Sequence, residues 1–223
     1  MPKKNLTTSK KAGAAAKRID APLRAARVVK VSAICVEAER QFAQYGFEGA
    51  SLDMIAQTLG ISRQNLLYYF PSKELLYTRV LDNVLDEWRL RMDGLVSGAD
   101  PEAAVRDYIR AKLRFSAERP AGSQVFAREV MAGMPRFREA MMARAMPAMN
   151  ADVKTFERWA DEGLVARLDF RHLLFTLWAS TQAYADMAPQ FACMLGKESL
   201  DEEDFERARQ VITRQMLAAL KPD

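Results

Sequence analysis

The chain of 223 residues has a single histidine, His172, and only two cysteines, Cys35 and Cys193. One histidine excludes any site built on a histidine pair. Two distant cysteines cannot form a disulfide framework, and their spacing is no metal motif. No run reaches the roughly 18 apolar residues needed to cross a bilayer. The basic N-terminus is not followed by the apolar stretch of a secretory signal. Strand-like alternation is missing throughout, and glycine and proline gather at the joints between helical patterns. There is no phosphate loop and no set of convergent catalytic groups. The expectation is a cytoplasmic, soluble, all-α protein that is not an enzyme and needs no cofactor or metal.

Charge is abundant but unevenly placed. Residues 1–30 hold nine basic side chains against one acid, Asp20, a net of +8. The remaining residues therefore carry −4 of the overall +4. Such a segment either contacts polyanions, nucleic acid first, or simply solubilises a terminus. Residues 1–27 are expected to be a disordered basic arm.

From Val28 the pattern is helical. Val31, Ile34, Cys35, Ala38, Phe42 and Tyr45 share one helical face, and Gly46 is the expected stop. Ser51, Ser62 and Ser72 each precede a helical stretch and can cap it. Asp100-Pro101-Glu102 combines a cap, a proline at the first helical position and an acid favoured by the helix dipole. Further helices are expected near 121–132, 136–162 (disturbed at Pro147) and 169–193 (capped by Asp169, irregular at Pro189). A last helix starts from a Ser199-x-x-Glu202 capping box. The count is nine helices, three of them within 28–70.

The segment Leu52 to Pro71 has the pattern of a helix-turn-helix. Ala56 is small where two short helices would cross, and Gly60 turns the chain. Ile55, Leu59, Ile61 and Leu66 face inward. The second helix then points Arg63, Gln64, Asn65 and Tyr68 outward. Arginine suits guanine edges, Gln and Asn suit adenine, and an aromatic ring suits a thymine methyl. Ser51, Tyr69 and Lys73 lie where phosphates would pass. The plainer alternative is a small helical subdomain whose polar groups serve solubility.

The run Gly60-Ile61-Ser62-Arg63-Gln64-Asn65-Leu66-Leu67-Tyr68-Tyr69-Phe70-Pro71-Ser72-Lys73-Glu74, with Ser51 and Ile55-Ala56 upstream, resembles the signature of the TetR family of transcriptional regulators. Leu67 departs from the tyrosine common at its place. The resemblance implies a DNA-binding head over 28–71 and a ligand-binding and dimerisation domain over 72–223. It places the DNA contacts on Ser51, Arg63, Gln64, Asn65, Tyr68, Tyr69 and Lys73. It also implies a homodimer formed through the last two helices, on an inverted-repeat operator in double-stranded DNA. Within the family, the segments 65–74, 107–110 and 178–186 are similar to the branch that answers to uracil and thymine and governs pyrimidine utilisation. Repression relieved by the ligand is the polarity so implied.

The expected ligand residues are Trp178, Thr181 and Gln182 on one helix, with Trp88 and Lys112 on others. A planar ring can stack on Trp178, and the Gln182 amide both donates and accepts, as a uracil edge requires. The plainer alternative makes Trp178 core and Gln182 a partner for backbone. A different planar or hydrophobic effector is the alternative within the family. An enzyme or a protein-interaction module is the alternative outside it. The twelve methionines read as core filling or as a permissive pocket lining.

Overall fold

The computed structural model describes residues 8–91, 95 and 100–222. Among them there is helix and no strand. In chain order the elements are α1 (Thr8–Gly49), α2 (Leu52–Thr58), α3 (Arg63–Tyr69), α4 (Lys73–Arg91), α5 (Pro101–Glu118) and α6 (Pro120–Met131). There follow α7 (Arg138–Ala140), a π-helical run (Met141–Ala145), α8 (Met146–Asp161), α9 (Phe170–Asp186), α10 (Ala188–Met194) and α11 (Glu202–Leu220). None of the described helices is long and apolar enough to cross a membrane.

The caps work as their chemistry requires. Ser51 Oγ accepts from the Met54 amide and Ser62 Oγ from the Asn65 amide, both at 3.1 Å. Ser72 Oγ accepts from the Leu75 amide at 3.2 Å. Asp100 and Asp169 cap α5 and α9 through two amides each. Each cap satisfies donors that the first helical turn leaves unpaired.

Several expectations change. Helix begins at Thr8 rather than Val28, so residues 8–27 continue α1 instead of forming an irregular arm; that stretch is rich in Ala, Lys and Arg, which favour helix. Residues 1–7 lie outside the described residues. Gly46 does break α1, with φ 72 and ψ 177, but one more turn follows it to Gly49. The helix expected over 136–162 carries the π run just before Pro147, where the Met146 amide bonds Met141 O. Proline has no N–H to give, and the chain absorbs the missing bond in a wider turn. The last helix is capped by Asp201, whose carboxylate and that of Asp204 accept reciprocally from each other's amides at 3.1 and 3.0 Å. Ser199 and Glu202 do not form the box. The stretch 169–193 also divides, into α9 and α10, at Met187.

Two apolar cores form. The first joins Ile34, Ala38 and Phe42 of α1, Ile55 and Leu66 of the two short helices, Leu76 to Leu85 of α4, and Val125 and Phe126 of α6. Tyr77 meets Phe42 and Phe47 edge-on at 4.9 and 5.0 Å. The second core joins α5, α8, α9 and α11 through Ile109, Phe156, Trp159, Leu174 and Ile212. The helix-turn-helix head therefore has no core of its own. It shares one with α4 and α6, across the boundary expected after residue 71.

Candidate nucleic-acid interface and effector cavity

α2 and α3 meet through Ile55, Ala56 and Leu66, all buried. Gly60 supplies the turn between them at φ 61, where a side chain is strained. With Leu66 inward, α3 presents Arg63, Gln64, Asn65 and Tyr68 to solvent. Arg63 Nη1 lies 2.6 Å from Asp53 Oδ2 of α2, both side chains exposed. Tyr69 is half-buried against the first core and meets Tyr68 edge-on at 5.2 Å. Ser51, Arg63 and Lys73 line one cleft between the start of α2 and the α3–α4 junction.

Lys73 also bridges two helices. Its ammonium donates to Phe47 O at 2.7 Å and Ala50 O at 3.1 Å. It also sits 4.4 Å from the centre of the Phe47 ring. Carbonyls at a helix end are unpaired and carry partial negative charge, so a nearby cation is drawn to them. Lys73 thus ties the end of α1 to the start of α4 while lining the cleft it shares with Ser51 and Arg63.

Behind the head, α4, α5, α6, α8 and α9 enclose a cavity of about 670 Å³. Trp88, Lys112, Trp178 and Gln182 all line it. Thr181 does not. It is fully buried, and its hydroxyl donates to Leu177 O at 2.8 Å on its own helix. At about 100° per residue, Thr181 faces well away from Gln182. The Trp178 indole N–H donates to the Tyr108 hydroxyl at 2.8 Å. The Gln182 amide nitrogen donates to Asp186 Oδ2 at 2.9 Å, and Ser123 Oγ donates to Asp186 Oδ1 at 2.9 Å. Gln182 thus keeps its carbonyl oxygen as an acceptor. Burial raises the Asp186 carboxyl above its ordinary range, opposed by those two hydrogen bonds and the Lys112 charge.

Lys112 is buried, with its Nζ 4.7 Å from the centre of the Trp88 ring. Burial pushes its pKa down to about 8, and the charge of Asp186 opposes the fall. Among the described residues no carboxylate forms an ion pair with it. The Trp88 indole N–H is also buried and has no acceptor among the described residues. The cavity wall thus combines the Lys112 ammonium and Arg89 with the Gln182 carbonyl, the Asp86 and Asp152 carboxylates and the surfaces of two indoles.

The N-terminal part of the chain, residues 34–80, matches the family profile "Bacterial regulatory proteins, tetR family". Residues 81–223 match "YcdC-like protein, C-terminal region". The HTH-type transcriptional regulator RutR of Escherichia coli (strain K12) is 37% identical over 193 residues, which cover 86% of this chain and 91% of RutR. The chain belongs to the TetR family. Its fold is also that of the ketosteroid transcriptional regulator KstR2 of Mycobacterium tuberculosis, with a TM-score of 0.70 at 19% identity. That alignment covers 87% of this chain and 96% of KstR2. AibR, solved with isovaleryl coenzyme A and operator DNA, superposes with a TM-score of 0.68 at 16% identity, over 86% of this chain and 99% of AibR.

In this TetR-family chain one charged cluster braces the cavity wall and a second joins it to the head. Arg144, in the π run beside the cavity, pairs with Asp82 and Asp86 of α4. Arg119, between α5 and α6, pairs with Glu39 of α1 and Glu87 of α4. Burial nevertheless holds the Glu39 carboxyl above its ordinary range. Gly122 allows this junction to close, because a Cβ there would lie 3.1 Å from both Glu39 Oε1 and Val84 Cγ2. Sequence reasoning missed Tyr108 and Asp152 as lining residues. The available signal was Tyr108 and Lys112, four apart on one apolar helix face.

Proposed function

We propose that the chain is a homodimeric repressor of pyrimidine catabolism that leaves an inverted-repeat operator when uracil, thymine or a related catabolite fills the cavity. The observation that carries this reading is the grouping of Lys112 and the Gln182 carbonyl with the Trp88 and Trp178 indole surfaces around one cavity. A pyrimidine-dione edge alternates C=O and N–H, so it needs donors and an acceptor side by side with an aromatic plate. A buried donor without a partner costs roughly 1–3 kcal/mol, which a ligand carbonyl recovers. The 37% identity to RutR spans the cavity helices as well as the head and supports the same reading. Exposed Phe175 on α9 and Val211 on α11 suit a dimer surface on those two helices.

On DNA, Gln64, Asn65 and Tyr68 read base edges, while Ser51, Tyr69 and a released Arg63 hold phosphates. Two heads would read half-sites about one helical turn, or a multiple of it, apart. Ligand binding shifts the population of head spacings through α4.

The test is a titration with uracil, thymine and dihydrouracil. Tryptophan emission is followed alongside release from a duplex that the chain itself selects from a random-sequence pool. Saturable quenching with parallel release is expected. If none of the three changes emission or release, the pyrimidine reading falls. A second reading, a larger planar or hydrophobic effector, is favoured by the cavity volume of about 670 Å³, which exceeds what a one-ring base fills.

A further inference from the structure

The recognition helix α3 is short of positive charge. Its one cation, Arg63, is matched by Asp53. Residues 31–80 as a whole carry four cations against five acids. Nucleic-acid affinity rests largely on cations that displace counterions from phosphates, so a neutral reading helix needs charge from elsewhere.

The structure supplies it from α1. The Arg27 guanidinium carbon lies 5.5 Å from the centre of the Tyr68 ring and 5.9 Å from that of Tyr69. The two rings stand at 86° to one another. Tyr69 is anchored in the first core, whereas Tyr68 is 69% exposed. A planar guanidinium beside both rings couples the exposed one to the anchored one and limits the rotamers that Tyr68 samples before DNA arrives. Arg27 is itself exposed, so its outward N–H groups remain open to a phosphate at the edge of the half-site.

Building on the DNA-binding reading above, we infer that Arg27 is a positioning and specificity-determining residue of the recognition helix. It orients Tyr68 for base contact and supplies a phosphate ligand that α3 lacks. The basic N-terminal segment would thus contribute to sequence choice as well as to general attraction.

The experiment compares the full-length chain with R27A, R27K, Y68A and the R27A/Y68A double variant. Each is titrated with the duplex selected by the parent chain and with a random duplex, across a range of salt. R27A is expected to lower the ratio of selected to random affinity by roughly three- to tenfold, and to flatten the salt slope by about one counterion. R27K should keep the slope and lose the ratio, because an ammonium lacks the planar stack. The effects of R27A and Y68A on the ratio should not add. Equal losses on both duplexes, an intact ratio in R27K, or additive effects would each overturn the inference. Failure of the parent chain to select any sequence would instead overturn the DNA-binding reading. Matching thermal unfolding of parent and variants verifies that the fold is intact.

Discussion

The Trp178 indole N–H and the Tyr108 hydroxyl form a 2.8 Å hydrogen bond that links α9 to α5 across the wall of the effector cavity. The two residues lie 70 positions apart in the chain. The bond fixes the plane of the Trp178 ring, and that ring is the largest flat surface the α9 helix offers a ligand. Burial and the Asp152 charge hold the Tyr108 phenol in its protonated form.

Tyr108→Phe therefore leaves the Trp178 donor without its partner while preserving the ring volume. A loss of about 1–3 kcal/mol in stability is expected, seen as a lower thermal midpoint. Effector affinity should fall as well, because the stacking plate is no longer held. An unchanged midpoint together with unchanged affinity would show that the bond positions nothing.

Lys112 makes stability depend on pH in a defined direction. Its pKa in the folded chain is about 8, against an ordinary 10.5. The unfolded chain thus holds the proton more tightly. The burial cost is fully present below about pH 8 and is relieved as pH rises toward 10.5. Lys112→Met should be the more stable form at pH 7, by up to on the order of 3 kcal/mol. The difference between parent and variant should shrink between pH 8 and 10. Denaturant unfolding at the two pH values measures it, and a variant less stable than the parent at pH 7 would contradict the account. The same substitution should abolish the effector response.

Asp53→Asn should strengthen DNA binding. The Arg63–Asp53 pair is exposed on both sides, so its contribution to folding is small, about 0–1 kcal/mol. Its loss frees Arg63 for a phosphate or a guanine edge. Binding to the selected duplex is expected to tighten and the salt slope to steepen by about one counterion, with unfolding unchanged. A salt titration showing no steeper slope would mean that Arg63 already leaves Asp53 at no cost.

The helix-turn-helix was legible because every feature that defines it is local. Ser51 and Ser62 cap amides three residues on, and Leu66 and Ile55 follow helical spacing. The resemblance of residues 51 and 60–74 to the TetR family then carried the fold. The bridging contacts of Lys73 are not legible in the sequence, because its acceptors, Phe47 O and Ala50 O, lie 26 and 23 positions upstream. Nothing in its neighbours signals that contact. Thr181 shared a coarse helical face with Trp178 and Gln182, but its hydroxyl is used within its own helix. Trp88 and Lys112, on separate helices, line one cavity. Tyr108 shares a helix face with Lys112, whereas Asp152 joins them only through tertiary packing that no local pattern encodes.

The first core runs without a seam from Ile34 through Leu66 to Leu85, and that bears on how such proteins exchange parts. A recombinant that grafts residues 28–71 of one relative onto the effector half of another cuts through packed side chains. It leaves Phe42 and Leu66 facing the α4 surface of a foreign parent. A junction placed beyond Leu85 transfers the reading helix together with the surface it was shaped against. Heritable swaps of DNA specificity among these regulators are therefore expected to carry α4 along, and with it one wall of the cavity.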